Sequence, residues 1–298
     1  MVTSQSPKII TSTPLGVWEY SKAVWRYKNL IWVFAYQELK GLYAQTYFGV
    51  LWGVIRPLFT LFVFTVIFKF FLHVPTETPY YLFAFTGMIA WNFFSLIAGN
   101  ASGAIIQKQN LIRKMYFPKL ILPLSKVIVA SVETGISLIL LFMLIIYEKH
   151  PINGSVFLFP FFVLLNIVCG FVIAIWMNAL NVRFRDLNQI VPAIIGIAIW
   201  VTPVFYPTTV IPAGYDFFVY VNPMAGVIKG YRFSLLGEAF PEWQCWVSIL
   251  MAVIMTFAGV VYLSKIENEM VDYIYCRPAN SGSFFPLVSC STNRSAII

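Results

Sequence analysis

Few side chains in this chain could do chemistry, and their spacing excludes most of it. The four cysteines, Cys169, Cys245, Cys276 and Cys290, show no CxxC spacing, and the two histidines, His73 and His150, stand far from them. That pattern supports neither a metal site nor a disulfide framework, and Cys169 and Cys245 read as small apolar residues. The three aspartates, Asp186, Asp216 and Asp272, are too scattered for a DxD or paired-carboxylate site of a membrane glycosyltransferase. No Gly-Lys dipeptide occurs, so there is no GxxxxGK[ST] phosphate cradle, and the chain itself is not expected to hydrolyse ATP. Three ionisable residues, Arg56, Lys126 and Glu133, fall inside long apolar runs, where a charge facing hydrocarbon costs several kcal/mol. Arg56 and Lys126 stand near run ends and can snorkel to water. Glu133, seven residues beyond Lys126 on the same side of a helix, is the best candidate for a buried structural pair, with Arg56 as its partner. The scattered Asp, Glu and His of a proton-coupled carrier are missing.

The elements that position these residues are six apolar runs, at 49–71, 80–106, 120–147, 156–180, 189–206 and 243–264. Each is close to the ~20 residues that cross a bilayer, the fifth being the shortest. With 59% hydrophobic and 11% charged residues, the chain is far more apolar than a soluble domain, which carries about 25% charge. The fold class expected is therefore all-α and membrane-integral. The 298 residues suffice for one six-span domain at 49–272 with no second folded domain, a cytoplasmic stretch 1–48 and a tail 273–298. Residues 1–48 lack a signal-peptide pattern and are expected to be retained. A net charge of +8 would suggest nucleic acid in a soluble protein, but here its placement matters more. Of 20 Lys and Arg, Lys69, Lys149, Lys229 and Arg232 lie on one side and Arg56 lies within a span. The remaining fifteen gather on the other side, which puts both termini in the cytoplasm and leaves no nucleic-acid partner expected.

Three connecting regions carry more pattern than a simple turn. Thr13 followed by Pro14 reads as a helix start, and one helix is expected from there to about Gly41. Trp18, Trp25 and Trp32 recur every seven residues on it, beside Lys22, Arg26 and Lys28, as in a helix lying along a membrane face. They could anchor at headgroups, meet a partner protein, or do both. Residues 107–120, QKQNLIRKMYFPKL, set Lys108, Arg113, Lys114 and Lys119 around Leu111, Ile112, Met115, Tyr116 and Phe117. A short amphipathic helix ending before Pro118 fits them, as an orientation signal or a docking element. Residues 207–240 are too long for a turn and too broken by Pro and Gly for a span. Two half-helices dipping back into the outer leaflet would explain this, an ordinary external loop being the alternative. Gly99 and Gly103 form a GxxxG, a weak signal for close helix packing. The tail 273–298 has the composition of a disordered segment.

Five ordered segments resemble one family: YAQTYFGVLWGVIRPL (43–58), NLIRKMYFPKLILPLSKV (110–127), NVRFRDLNQIVP (181–192), TPVFYP (202–207) and NPMAGVIKGYR (222–232). The chain is similar to the membrane permeases of bacterial polysaccharide ABC exporters, which move lipid-linked O-antigen, capsule or teichoic acid. The resemblance runs from about Trp18 to Asp272, and the tail departs from it. It implies a six-span half-transporter of the bacterial inner membrane that pairs with a copy of itself. Two separate ATP-binding-cassette subunits would use ATP and Mg, with no cofactor bound by this chain. Arg113, Lys114, Met115 and Tyr116 would belong to the cytoplasmic coupling helix that meets the ATPase, and Trp25 to the amphipathic interface helix flanking it. Residues 207–240 would be the outer re-entrant half-helices, which places Tyr206, Tyr215, Tyr220 and Tyr231 as candidates for the channel exit gate. Aromatic residues, 18% of the chain, could let sugar rings slide past, although most are expected to fill cores and interfacial belts. The expected cargo is an undecaprenyl-linked polysaccharide, O-antigen first. Alternatives are capsule or teichoic acid, a drug or simple lipid carried by the same fold, and a membrane glycosyltransferase.

Overall fold

The computed structural model describes residues 17–43, 51–71, 78–112, 114–115, 117–151, 153–181, 186–208, 222–240 and 243–276, with single positions 73, 76 and 184. Among these residues all regular structure is helical. Two helices, α1 (Val17–Arg26) and α2 (Lys28–Tyr43), precede α3 (Trp52–Thr65), which runs on as a π-helical stretch, Val66–Phe71. Next come α4 (Tyr80–Ser102), the single turns α5 (Ala104–Gln107) and α6 (Gln109–Ile112), and α7 (Ile121–Tyr147). A 3-10 turn, Gly154–Leu158, leads into α8 (Phe159–Asn181), followed by α9 (Leu187–Val201), α10 (Pro223–Leu236) and α11 (Trp243–Cys276).

Four helical segments are long and apolar enough to cross a membrane: Trp52–Lys69, Tyr80–Ser102, Ile121–Tyr147 and Gly154–Asn181. Leu187–Val201 and the apolar part of α11, Ile249–Leu263, are shorter. All six apolar runs are thus helical where described, but the second stops at Ser102 instead of 106 and the fifth at Val201 instead of 206. The helix expected from Thr13 to Gly41 is two helices broken at Tyr27, with Thr13 and Pro14 outside the described residues. The break lets Tyr20 and Val24 of α1 and Phe34 and Ala35 of α2 all turn inward. The segment 107–120 is likewise not one amphipathic helix. Its α6 ends at Ile112, and Phe117 and Lys119 are buried, since Phe117 packs on Phe34 with ring centroids 5.8 Å apart.

Helix α4 is the centre of the bundle, packed against α3, α7, α8, α9 and α10, and most of it is buried. Small residues permit this. At Gly87 a Cβ would lie 2.8 Å from the Val204 carbonyl oxygen and 2.7 Å from the Arg232 guanidinium. The GxxxG pair does not make a helix-packing face: Gly99 has open space, and Gly103 abuts the Asn188 side chain.

Where helices break inside this apolar bundle, polar side chains take over the backbone groups left without partners. At the end of α4, Asn178 Nδ2 donates to the Ala101 carbonyl and Asn178 Oδ1 accepts from the Ile105 N–H, 3.2 Å away. Asn181 Nδ2 donates to the Ser102 carbonyl at 2.7 Å and to Asn188 Oδ1 at 3.1 Å. The turn after α9 is held from three sides. Arg232 of α10, wholly buried, donates to the carbonyls of Pro203 (3.1 Å), Val204 (2.6 Å) and Phe83 (3.4 Å), with its guanidinium 3.4 Å from the Phe83 ring centroid. Tyr80 Oη donates to the Phe205 carbonyl at 3.0 Å, and Asn222 Nδ2 to Thr202 Oγ1 at 2.7 Å. The Phe205 ring stacks on Phe64 of α3, 3.8 Å between centroids.

Removing Arg232 orphans buried carbonyls, each worth about 1–3 kcal/mol. Arg232→Ala should therefore lower the thermal midpoint of the detergent-solubilised protein well below that of a control at the exposed Lys22, Lys22→Ala. Gly87→Ala should do the same, because the added methyl meets backbone.

Candidate functional site

Two places in the fold bring polar or charged groups together. The first is a groove along α4. Of the described residues of α4, only Asn92 and Asn100 are exposed, while Ser95, Leu96 and Gly99 between them are half-buried. These positions repeat at helical spacing on one face. A cavity of about 510 Å³ opens around Asn92, with Arg56 and Thr60 of α3 on one wall and Glu133, Thr134 and Ser137 of α7 on the other. It shares Ser95 and Leu96 with a second cavity of about 460 Å³, which continues past Asn100 to Gln107 and Asn188.

The second is a clamp built by α1 and α2 on the chain between α4 and α7. Tyr20 Oη accepts from the Leu120 N–H at 3.3 Å, and Phe34 packs on Phe117. Lys126 forms an ion pair with Glu38 of α2 and donates to Gln107 Oε1 at 3.2 Å. One ammonium thus joins three elements: α2, α5 and α7. Lys114 and Met115 remain exposed beyond this clamp.

The sequence that builds these helices has relatives. A family model described as ABC-2 type transporter matches residues 29–236. The chain belongs to the ABC-2 type transporter family. Among curated proteins it is 25% identical over 243 residues to the O-antigen export system permease protein RfbA of Klebsiella pneumoniae, covering 81% of this chain and 93% of the relative. It is 27% identical over 239 residues to the Myxococcus xanthus protein of the same name, covering 78% and 90%. It is 24% identical over 244 residues to the polysialic acid transport protein KpsM of Escherichia coli, covering 79% and 92%. With its long apolar helices, this ABC-2 type transporter is a membrane-integral transport protein.

Within the transporter the residues singled out from sequence fall in different places. Trp18, Trp25 and Trp32 are all strongly exposed on α1 and α2, and Lys28 Nζ lies 5.2 Å from the Trp25 ring centroid. Arg113, Tyr116, Tyr215 and Tyr220 lie outside the described residues. Tyr206 folds back on α9, its hydroxyl donating to the carbonyls of Trp200 (3.3 Å) and Val201 (3.0 Å). Tyr231 is wholly buried, its hydroxyl 3.4 Å from Asn166 Nδ2 and its ring edge-on to Phe159. It stands on α10 in the core against α8.

The intramembrane charges also pair differently from the sequence expectation. Lys126 does not snorkel; it is buried against Glu38. Arg56 and Glu133 face the same cavity without forming a direct ion pair. Sequence reasoning missed Glu38, Asn178, Asn181 and Arg232. For the asparagines a signal was available: two amides three residues apart in an apolar run, on one face of its helix. For Glu38, 88 residues from Lys126, there was none.

A buried charged hydrogen bond contributes about 1.5–3 kcal/mol. Glu38→Gln and Lys126→Gln should each lower stability, and in a double-mutant cycle the pair should couple by at least ~0.5 kcal/mol. Denaturation of all four proteins in one detergent measures this.

Proposed function

We propose that this chain is the permease subunit of an ATP-driven exporter that moves lipid-linked polysaccharide, O-antigen first, across the bacterial inner membrane. It works as a homodimer with two separate ATP-binding-cassette subunits, which use ATP and Mg. The observation that carries the reading is similarity over nine-tenths of the length of O-antigen export permeases, in a chain without a phosphate cradle of its own. The polysialic acid relative keeps capsule polymer as a second reading.

On this reading the clamp end faces the cytoplasm. Arg113, Lys114, Met115 and Tyr116 meet the ATPase, Trp25 flanks them, and both termini lie on that side. Exposure of Lys114, Met115 and Trp25 supports this, since a docking surface must be open in the free chain. ATP binding draws the two ATPase subunits together, and the movement passes from the 107–120 segment to α7 and α2 through Lys126 and Phe117. The re-entrant reading of 207–240 is supported by α10. Its 14 residues fall short of the ~20 that cross a bilayer, and it is nearly all buried, as irregular crossings must be. The six-span layout counts α9 and α11 with the four longer helices.

In a strain lacking its own exporter, complementation with an Arg113→Ala/Lys114→Ala double variant should leave undecaprenyl-linked polymer inside the cell. Surface polymer should fall at least tenfold, and the ATPase should no longer co-purify in stoichiometric amount. Normal surface polymer with a normally bound ATPase would refute the docking role.

A further inference from the structure

The one open face of α4, which carries Asn92 and Asn100, would be chemically out of place against lipid. Neither amide has a hydrogen-bond partner among the described residues, although the two are the most exposed side chains of the most buried helix. An amide turned to hydrocarbon without a hydrogen-bond partner is costly, so a stripe of them belongs against something polar. The walls opposite repeat this chemistry with Thr60, Thr134 and Ser137 around the first cavity and Gln107 and Asn188 around the second. Eight residues of helix between Asn92 and Asn100 set about 12 Å of such surface along the bundle.

Among the described residues the charges lining the stripe cancel. Arg56 and Glu133 are the only charged described residues of the first cavity, one of each sign, and no charged described residue lines the second. Lys126, which reaches Gln107 of the second cavity, is neutralised by Glu38. Amides and hydroxyls both donate and accept, so they match sugar hydroxyls and exchange partners easily. A polyanion would instead require an excess of cations to offset its desolvation and self-repulsion.

We infer that the α4 stripe, Asn92, Ser95 and Asn100, lines the polymer path and takes an uncharged polyhydroxylated chain in preference to an acidic one. This rests on the exporter reading and narrows its cargo. The full chain would be co-expressed with its ATPase partner, with the four cysteines replaced by alanine, and single cysteines introduced by Asn92→Cys, Asn100→Cys and, as a lipid-facing control on α8, Leu164→Cys. A membrane-impermeant, water-requiring thiol reagent should label the first two at least tenfold faster than the third in opened membranes. Equal sluggishness at all three would overturn the assignment of the stripe to a wet path, whether lipid or protein covers it.

The same host would then supply either an undecaprenyl-linked neutral polymannose or polysialic acid. Wild-type protein should export the neutral polymer at least tenfold better, and Asn92→Lys/Asn100→Lys should narrow that gap. Equal export, or better export of the acid, would overturn the charge preference while leaving the exporter reading intact. Export of neither polymer, with the ATPase bound, would refute the exporter reading and this inference with it.

Discussion

In surroundings without water every backbone N–H and C=O must find a partner within the protein, and this constraint organises the whole bundle. Uninterrupted helices meet it by themselves. The chain breaks its helices at Gly103 and again after Val201, and at each break a polar side chain from a neighbouring helix supplies the missing bonds. Asn178 and Asn181 serve the first, and Arg232, Tyr80 and Asn222 the second. These are the contacts that fix α8 and α10 against α4 and α9. Apolar packing gives the bundle its bulk, but it is tolerant of sliding; directed bonds to fixed carbonyls are not.

The two breaks have different surroundings, and so different mechanical characters. The turn after α9 is held by a buried guanidinium, a tyrosine hydroxyl and a stacked phenylalanine at once, which makes that end of the bundle stiff. At the other end, the segment between α4 and α7 consists of single helical turns. It meets α1 and α2 through the Phe117–Phe34 ring contact and the Leu120 N–H to Tyr20 hydroxyl bond, and Lys126 of α7 pairs with Glu38 beside it. Lys126 thus ties α7 to α2 and Gln107 at this end, whereas the turn after α9 is bonded from several elements at once.

The groove changes how the abundance of aromatic residues should be read. Phe64, Phe68, Tyr80, Trp200 and Phe205 pack on one another, and Tyr231 is buried, so much of the aromatic content is structural. The groove along α4 owes its polarity instead to amides, hydroxyls and the Arg56 and Glu133 side chains. The tyrosines that suggested an exit ring divide accordingly: Tyr231 fills the core, and Tyr206 spends its hydroxyl on the last turn of α9.

The sequence by itself determined that this chain is helical and membrane-integral, and which family it belongs to. Long uncharged runs have no other stable home than a bilayer, and the five ordered segments survive as linear patterns. The approximate limits of the helices were legible for the same reason, because hydrophobic length is a local property. Their true ends were not: the stop at Ser102 depends on Asn178, seventy-odd residues away, and the break at Tyr27 on which faces α1 and α2 bury. Only the tertiary structure decided that Lys126 pairs with Glu38 and not with water, that Arg232 lies in the core, and that Asn92 and Asn100 share an open face. Each of those outcomes is set by which helix stands opposite, and a sequence records periodicity along one helix without recording its neighbour.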